Sequence, residues 1–231
     1  MNNYKLELEH DPIDPPSNLT AYGTLDLRLA DCMDVMREFA DGYFDLAVVD
    51  PPYGIGINMN QGRRKGDHVK HARKKWDESC PSVDYWNELC RVSKNQIAWG
   101  ANNFPWIPPH NGWVVWDKDI TGDVPFSKAE LAYCSPINTV QMVRIRAQSG
   151  AETYSDKIHP TQKPVKLLQR LITLFTDPGD VVIDPCAGSG STIIAASRCG
   201  RSGYGFEIKK DFHKLSLEWI KREKQQMTLK L

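Results

Sequence analysis

The feature that most constrains the fold is a short apolar run, residues 44–49, that ends in Asp50-Pro51-Pro52-Tyr53. Such a run is typical of a strand buried on both faces of a parallel sheet. Prolines cannot donate hydrogen bonds to a neighbouring strand, so the strand must end there. Open α/β sheets bind ligands at the carboxyl ends of their strands. The sequence therefore predicts either a ligand-binding acid and aromatic ring at that edge or a purely structural strand end with a Pro-Pro turn.

A second strand, turn and helix lie towards the end of the chain. Residues 181–183 are predicted to be a short strand that ends in Asp184-Pro185, residues 186–192 a turn rich in small residues, and residues 193–199 a helix. Such a turn lets a ligand approach the backbone at a helix N-terminus. It lacks the lysine of a P-loop and the third glycine of a dinucleotide fingerprint. The next strand ends at Glu207, whose carboxylate can accept both ribose hydroxyls of an adenosine. S-adenosylmethionine fits this pattern best, and a tight structural turn is the alternative.

The other periodic segments complete an alternation of strands and helices. A strand at 25–30, Asp31 as the N-cap of a helix at 32–39, and the strand at 44–49 form a βαβ unit. Residues 129–133 and 139–145 are predicted to be antiparallel neighbours. Further helices are predicted at 83–92, 164–176 and 211–223, and further strands at 96–100, 113–116 and 201–206.

Composition narrows the class of protein. The chain has 231 residues, with 29 basic and 29 acidic side chains, so polyanion binding would require the basic groups to cluster. The six cysteines include no CxxC pair, which favours reduced thiols in a cytoplasmic compartment. No apolar run reaches membrane-spanning length, and the start lacks a signal-peptide core. His68 and His71 have no accompanying ligand cluster, so no metal is predicted.

Basic side chains cluster in one segment, which is predicted to be a mobile loop at residues 57–78. Asp67 is the only acid between its cations. A mobile basic loop beside a site suits phosphate contacts. The predicted nucleic-acid-binding residues are Arg63, Arg64, Lys65, Lys70, Arg73, Lys74 and Lys75.

Several motifs together resemble the β group of amino-methyltransferases, which modify exocyclic amines of nucleobases in DNA. Asp50-Pro51-Pro52-Tyr53 resembles their catalytic motif, and residues 184–192 (Asp-Pro-Cys-Ala-Gly-Ser-Gly-Ser-Thr) resemble their cofactor motif. Residues 159–164 (His-Pro-Thr-Gln-Lys-Pro) and 29–32 (Leu-Ala-Asp-Cys) are similar to further segments of that family. The catalytic motif precedes the cofactor motif, which is the order of the β group. The resemblance covers residues 25–223.

The resemblance implies an α/β, Rossmann-like S-adenosylmethionine-dependent methyltransferase fold. Its central sheet is mostly parallel with helices on both faces, and its motif order is circularly permuted. It implies one catalytic domain over residues 1–231 that acts on DNA in a bacterial or phage-type host cytosol. A homodimer is suggested, with no membrane association.

The resemblance also assigns roles to individual residues. Asp50, Pro51, Pro52 and Tyr53 would be catalytic, with Asp50 and the Pro51 carbonyl accepting the target amine's hydrogens and Tyr53 stacking on the flipped base. Asp31 would contact the cofactor's adenine, Glu207 its ribose, and residues 159–163 its methionine end. The full cofactor-binding set is Asp31, Cys32, His159, Thr161, Gln162, Lys163, Asp184, Pro185, Gly188, Ser189, Gly190, Ser191, Thr192 and Glu207.

The chain departs from the family in the segment that reads DNA sequence. Only residues 118–158 are available for it, so a short or relaxed target site is expected. Adenine N6 is the predicted target because aspartate, not serine, begins the catalytic motif. The alternatives are cytosine N4, an RNA substrate, and a non-catalytic nucleic-acid-binding module.

Overall fold

A central sheet organises the computed structural model, which describes residues 23–55, 79–124, 127–147 and 162–228. The strands are β1 (Leu25–Leu29), β2 (Phe44–Val49), β3 (Ser93–Trp99), β4 (Trp113–Asp117), β5 (Ala129–Cys134), β6 (Val140–Arg144), β7 (Val181–Asp184) and β8 (Ser202–Glu207). The helices are α1 (Cys32–Met36), α2 (Val83–Val92), α3 (Val165–Phe175), α4 (Ser191–Arg198) and α5 (Lys210–Thr228), with a short 3₁₀ helix at Ala101–Asn103. The strand order is β1-β8-β7-β2-β3-β5-β4-β6.

Five neighbouring strands of this sheet are parallel. β1, β8, β7, β2 and β3 pair in parallel, whereas β5 is antiparallel to both β3 and β4, and β6 is parallel to β4. One apolar core contains side chains of α3, α4 and α5, and the other contains side chains of α1 and α2. The predicted α/β fold with a mostly parallel sheet and helices on both faces is confirmed.

The predicted pairing of residues 129–133 with 139–145 is wrong, because β4 lies between β5 and β6. Val115 of β4 is in register with Leu131 on one side and Met142 on the other. β4 buries Val114 and Trp116 almost completely, whereas β6 leaves Met142 about half exposed. The strand with more apolar surface to bury therefore takes the inner position, and β6 becomes the edge.

Two glycines of β8 allow α4 to pack closely on the strand that ends in Glu207. A Cβ on Gly205 would lie 2.3 Å from Ile193 Cδ1 and 2.9 Å from the Cβ of Ala187. A Cβ on Gly203 would lie 2.9 Å from the Cα of Ile193. Small residues on β8 therefore position α4, the helix that follows the turn after β7.

The structure has no helix in the described ranges that is long and apolar enough to cross a membrane. Among the same residues, no three histidine, cysteine or acidic side chains are grouped as metal ligands would be. The single-domain assignment for residues 1–231 stays a prediction.

The contacts of β8 predict two different responses to added methyl groups. Gly203→Ala and Gly205→Ala should each lower the free energy of unfolding by about 1–3 kcal/mol through overpacking. Adding Ile193→Val removes the Cδ1 that crowds position 205, so it should restore part of the stability of Gly205→Ala. It should not restore Gly203→Ala, because valine keeps the Cα that crowds position 203. Urea denaturation of the four variants measures these differences, and equal rescue of both would contradict the packing described.

Candidate active site

Four acidic side chains lie at the carboxyl ends of four adjacent parallel strands. Asp31 follows β1, Asp50 follows β2, Asp184 ends β7, and Glu207 ends β8. All four line one cavity of about 380 Å³. The strand order alone brings them together, because parallel neighbours end at the same edge of a sheet.

The turn between β7 and α4 forms one wall of this cavity. Gly190 is the N-cap of α4 with a left-handed backbone, φ +80°, which glycine adopts without strain. The Asp184 Oδ1 accepts the backbone N–H of Cys186 at 3.1 Å. Burial raises the pKa of Asp184 to about 7, and hydrogen bonds from Thr192 and Cys186 oppose that rise. The turn is therefore held by an acid that titrates near neutral pH.

Glu207 is tied to the same turn from the neighbouring strand. Its Oε2 accepts the N–H of Gly188 at 3.1 Å, and its Oε1 accepts the N–H of Lys209 at 2.6 Å. Burial raises the pKa of Glu207, and the two backbone hydrogen bonds oppose that rise. Each carboxylate oxygen keeps a second lone pair for a ligand hydroxyl. The hydroxyl of Ser216 donates to the Gly188 carbonyl at 2.6 Å and fixes the turn against α5.

Asp31 is the N-cap of α1, as predicted. Its Oδ1 accepts the Met33 N–H at 2.9 Å. Cys32 and Cys186 also line the cavity, and the Tyr85 hydroxyl lies 3.7 Å from the Cys186 sulfur. The apolar part of the lining includes Ala30, Val48, Leu168, Phe206, Ile208 and Phe212.

Both oxygens of the Asp50 carboxylate have partners. The Tyr53 hydroxyl donates to Oδ1 at 2.6 Å, and the Lys163 Nζ lies 2.8 Å from Oδ2. Burial raises the pKa of Asp50, and the Lys163 charge opposes that rise. The family resemblance predicts Lys163 beside the cofactor's methionine end. Lys163 lines the cavity, but its ammonium group is paired with the catalytic-motif carboxylate.

The sequence did not predict that a second acid, Glu130, pairs with Lys163. Glu130 of β5 places Oε2 at 3.0 Å from the Lys163 Nζ, and its Oε1 lies 2.7 Å from the Nζ of Lys118. Burial would raise the pKa of Glu130, but the two lysine charges lower it to about 2. The available signal was a carboxylate inside the otherwise apolar strand at residues 129–133.

Gly100 was missed as well, and it makes room for the Tyr53 ring. Gly100 has φ +67°, and a Cβ there would lie 2.2 Å from the ring carbon Cε1 of Tyr53. Phe104 packs near the ring edge, with its centroid 6.5 Å from that of Tyr53. The Lys163 Nζ lies 5.9 Å from the centroid of the Tyr53 ring and 5.4 Å from that of Trp99. The ring is therefore held from several sides.

The predicted site residues divide into three groups. Those that line the cavity are Asp31, Cys32, Asp50, Pro52, Gln162, Lys163, Asp184, Pro185, Gly188, Ser189, Ser191, Thr192 and Glu207. Pro51, Tyr53 and Gly190 adjoin the cavity without lining it. His159, Thr161 and the seven predicted DNA-binding cations lie outside the described residues.

Sequence comparison identifies the family. The sequence model of the DNA methylase family (N6/N4 methyltransferases) matches residues 115–218. YubD of Escherichia coli (strain K12), itself assigned as a methylase, is 32% identical over 199 residues, which cover 80% of this chain and 85% of YubD. The chain belongs to the N6/N4 DNA methylase family. The type II methyltransferase M.HinfI of Haemophilus influenzae is 25% identical over 235 residues, covering 79% of this chain and 64% of M.HinfI.

Solved structures of DNA methyltransferases share the fold. The M1.HpyAVI complex with S-adenosylmethionine has a TM-score of 0.54 at 16% identity, covering 84% of this chain and 98% of that one. The cytosine-N4-specific PvuII DNA methyltransferase has a TM-score of 0.56 at 15% identity, covering 85% of this chain and 86% of that one. The predicted family and fold are confirmed: the chain belongs to the N6/N4 DNA methylase family and shares the fold of these DNA methyltransferases.

The contact between Gly100 and Tyr53 can be separated from backbone strain by a matched pair of variants. Gly122 has φ +81°, and a Cβ there would meet nothing within 4 Å, so Gly122→Ala carries strain alone, about 1–2 kcal/mol. Gly100→Ala should cost about 1–3 kcal/mol more, because the new methyl overlaps the Tyr53 ring. Methyl transfer should fall about tenfold in Gly100→Ala through the misplaced ring. Denaturation and a tritiated-methyl assay measure both effects, and equal behaviour of the two variants would contradict the contact.

The raised pKa of Asp184 predicts a pH dependence of stability. Between pH 4 and 7 the folded state keeps a proton on Asp184 that the unfolded state has lost. The contribution of Asp184 to stability therefore falls as pH rises, by up to about 1.4 kcal/mol per pH unit. The stability of Asp184→Asn relative to the natural sequence should rise over this window and level off above pH 7. Urea denaturation across pH tests this, and a constant difference would show that Asp184 ionises normally.

Proposed function

We propose that the protein transfers the methyl group of S-adenosylmethionine to the N6 amine of an adenine flipped out of DNA. One observation carries the proposal. The Asp50 carboxylate, which begins the catalytic motif, lines the same cavity as the acids at the ends of β1, β7 and β8. An amine acceptor and a cofactor site therefore share one cavity.

The residues of the cavity fit the cofactor. Glu207 would accept the ribose hydroxyls, because each of its oxygens has a free lone pair beyond its backbone hydrogen bond. Asp31 and the apolar side chains Ile208 and Phe212 would hold the adenine ring. The acids lining the cavity favour a ligand that carries positive charge. When bound, S-adenosylmethionine supplies an electrophilic methyl group on a positively charged sulfur.

The protein must activate a weak nucleophile. The lone pair of an exocyclic amine is delocalised into the base. Asp50 and the Pro51 carbonyl would each accept one N–H of the amine, which favours a pyramidal nitrogen with its lone pair free. Two acceptors on a rigid Pro-Pro segment supply orientation, which is a large share of catalysis in such reactions. The N–C bond would form as the methyl–sulfur bond breaks and its electron pair returns to sulfur. The amine would then be positively charged and would lose one proton, which Asp50 is placed to accept.

Asp50 can take this role without losing its present partners. An ionised carboxylate offers about four lone-pair positions. The Tyr53 hydroxyl and the Lys163 ammonium use one position on each oxygen. The target amine could therefore bind a remaining position while the carboxylate stays fixed. The Tyr53 ring would stack on the flipped base and offset part of the unstacking cost of a few kcal/mol.

Adenine is favoured over cytosine by the aspartate at position 50. Cytosine N4 presents a similar amine and is the second candidate. A non-catalytic nucleic-acid-binding module would have no need for the acids that line the cavity. The sequence contains no recognised RNA-binding module, so RNA is not favoured as the substrate.

DNA binding would involve the basic segment and the remaining recognition region. We propose that the seven cations between Arg63 and Lys75 contact DNA phosphates. Neutralising them should then make DNA binding depend less on salt concentration. β5 and β6 place part of residues 118–158 in the central sheet, so we propose a short or relaxed target. A homodimer, also proposed, is tested by sedimentation.

Replacement of Asp50 is the direct test of the catalytic assignment. Asp50→Ala should reduce methyl transfer by at least about 10²–10³-fold, as loss of a transition-state partner does. Cofactor affinity should change little, since Lys163 keeps Glu130 as a counter-ion. Transfer is measured with tritiated cofactor, and nucleoside analysis of the DNA should find N6-methyladenine.

Asp45 provides a matched control on the same strand. Its carboxylate is also paired with a lysine, Lys94, at 2.6 Å, but it does not line the cavity. Asp45→Ala should leave transfer within about twofold, as expected for a residue outside the site. Transfer that survives Asp50→Ala would refute the mechanism, and N4-methylcytosine as product would refute adenine as the target.

A further inference from the structure

Four alternating charges connect the catalytic motif to the antiparallel strands β5 and β4. Asp50, Lys163, Glu130 and Lys118 follow one another at 2.8, 3.0 and 2.7 Å. They come from the loop after β2, the segment before α3, β5, and the loop after β4. The Lys163 side chain is 5% exposed, which makes its counter-ions essential.

Three oxygen atoms surround the ammonium group of Lys163, whose Nζ lies 2.8 Å from the Asp50 carboxylate and 3.0 Å from the Glu130 carboxylate. Besides the two carboxylates, the Tyr53 hydroxyl lies 3.3 Å from Nζ. Two of these acceptors, Asp50 and Tyr53, belong to the catalytic motif, and the third is Glu130. A buried cation attracted to two carboxylates and a hydroxyl cannot move towards one of them without weakening its attraction to another. Glu130 therefore limits where Lys163, and with it the Asp50 carboxylate, can lie.

Glu130 is joined to the catalytic motif by its ion pair with Lys163. It is absent from the cavity lining, so it does not contact the cofactor site directly. Its other ion pair is with Lys118, through the second carboxylate oxygen, Oε1. Its charge also raises the pKa of Asp50 directly, but the contact that can fix the position of the Asp50 carboxylate runs through Lys163.

We propose that Glu130 is a positioning residue that, through Lys163, holds the Asp50 carboxylate in the orientation that accepts the target amine. Lys118 anchors Glu130 from the other side. The inference rests on the proposed role of Asp50. It assigns a role in catalysis to a residue of β5. The family resemblance would assign that segment, residues 118–158, to DNA recognition.

The first experiment separates turnover from binding. Glu130→Gln removes the charge at nearly constant size and should lower kcat about tenfold, because a loosened carboxylate misorients the amine. Glu130→Leu also removes the acceptor and should lower kcat by about 10–100-fold. The KM for DNA and the Kd for S-adenosylmethionine should stay within about twofold, because the lost contact acts on orientation alone.

Glu223→Gln is the matched control. Glu223 is a buried glutamate whose carboxylate lies 2.7 Å from Arg198, between α5 and α4. Removing the charge of Glu223 should lower stability by breaking a buried ion pair, as Glu130→Gln does, but kcat should stay near that of the natural protein. If kcat falls in proportion to the lost stability in Glu130→Gln, Glu130→Leu and Glu223→Gln alike, the inference is overturned.

The second experiment asks whether Glu130 acts through Lys163. In a Lys163→Met background, Glu130→Gln should have no further adverse effect on kcat, because the group it holds is gone. Lys118→Met, which loosens Glu130 from behind and keeps Lys163, should give a smaller fall than Glu130→Gln. The Lys118 variant keeps the idea testable if Lys163→Met does not fold.

The outcomes separate this inference from the proposed function. Normal kcat in Glu130→Gln and Glu130→Leu, beside an inactive Asp50→Ala, would overturn the role of Glu130 alone. Fully multiplicative effects of Glu130→Gln and Lys163→Met would show that Glu130 acts independently of Lys163. Methyl transfer by Asp50→Ala would instead refute the catalytic assignment on which both depend.

Discussion

The buried ammonium group of Lys163 is the interaction on which the site depends. Withdrawing a charge from water costs several kcal/mol, and the cost is offset only where counter-ions and hydrogen bonds surround it. Asp50, Tyr53 and Glu130 supply those partners here. Burial would lower the pKa of Lys163, but the neighbouring acids raise it well above its ordinary value. The Lys163 charge opposes the rise in the pKa of Asp50 that burial causes, although the pKa still lies above its ordinary value.

The parallel part of the sheet brings the cofactor half of the site to this cluster. Strands β1, β8, β7 and β2 are neighbours, and each is followed or ended by an acid. Small residues in β8 let α4 pack closely on the strand that ends in Glu207. The catalytic motif comes before the cofactor motif in the chain, yet strand pairing of β2 with β7 places them side by side. The two motifs therefore lie side by side although they are far apart in the sequence.

The sequence predicted those strands and helices whose hydrophobic periodicity and end signals lie within the segment itself. The strand at 44–49 and the helix at 83–92 agree with the structure, since each has clear periodicity and end signals. The order of β5, β4 and β6 depends on which strand buries more surface, which no single segment reveals. The roles of Gly100 and Glu130 arise from contacts between residues 47 and 33 positions apart. The resemblance located Lys163 in the site but could not name its partner.

The central claim is that Asp50 faces the exocyclic amine while Lys163 and Glu130 hold it in place. A crystal structure of the protein with an unreactive cofactor analogue and a DNA duplex containing its target would test this most directly. The account predicts that one Asp50 oxygen and the Pro51 carbonyl each lie about 2.7–3.2 Å from the adenine N6, with the Lys163 ion pairs intact. An amine bound away from Asp50, or a Lys163 that has left Asp50 to contact the DNA or the cofactor, would contradict it.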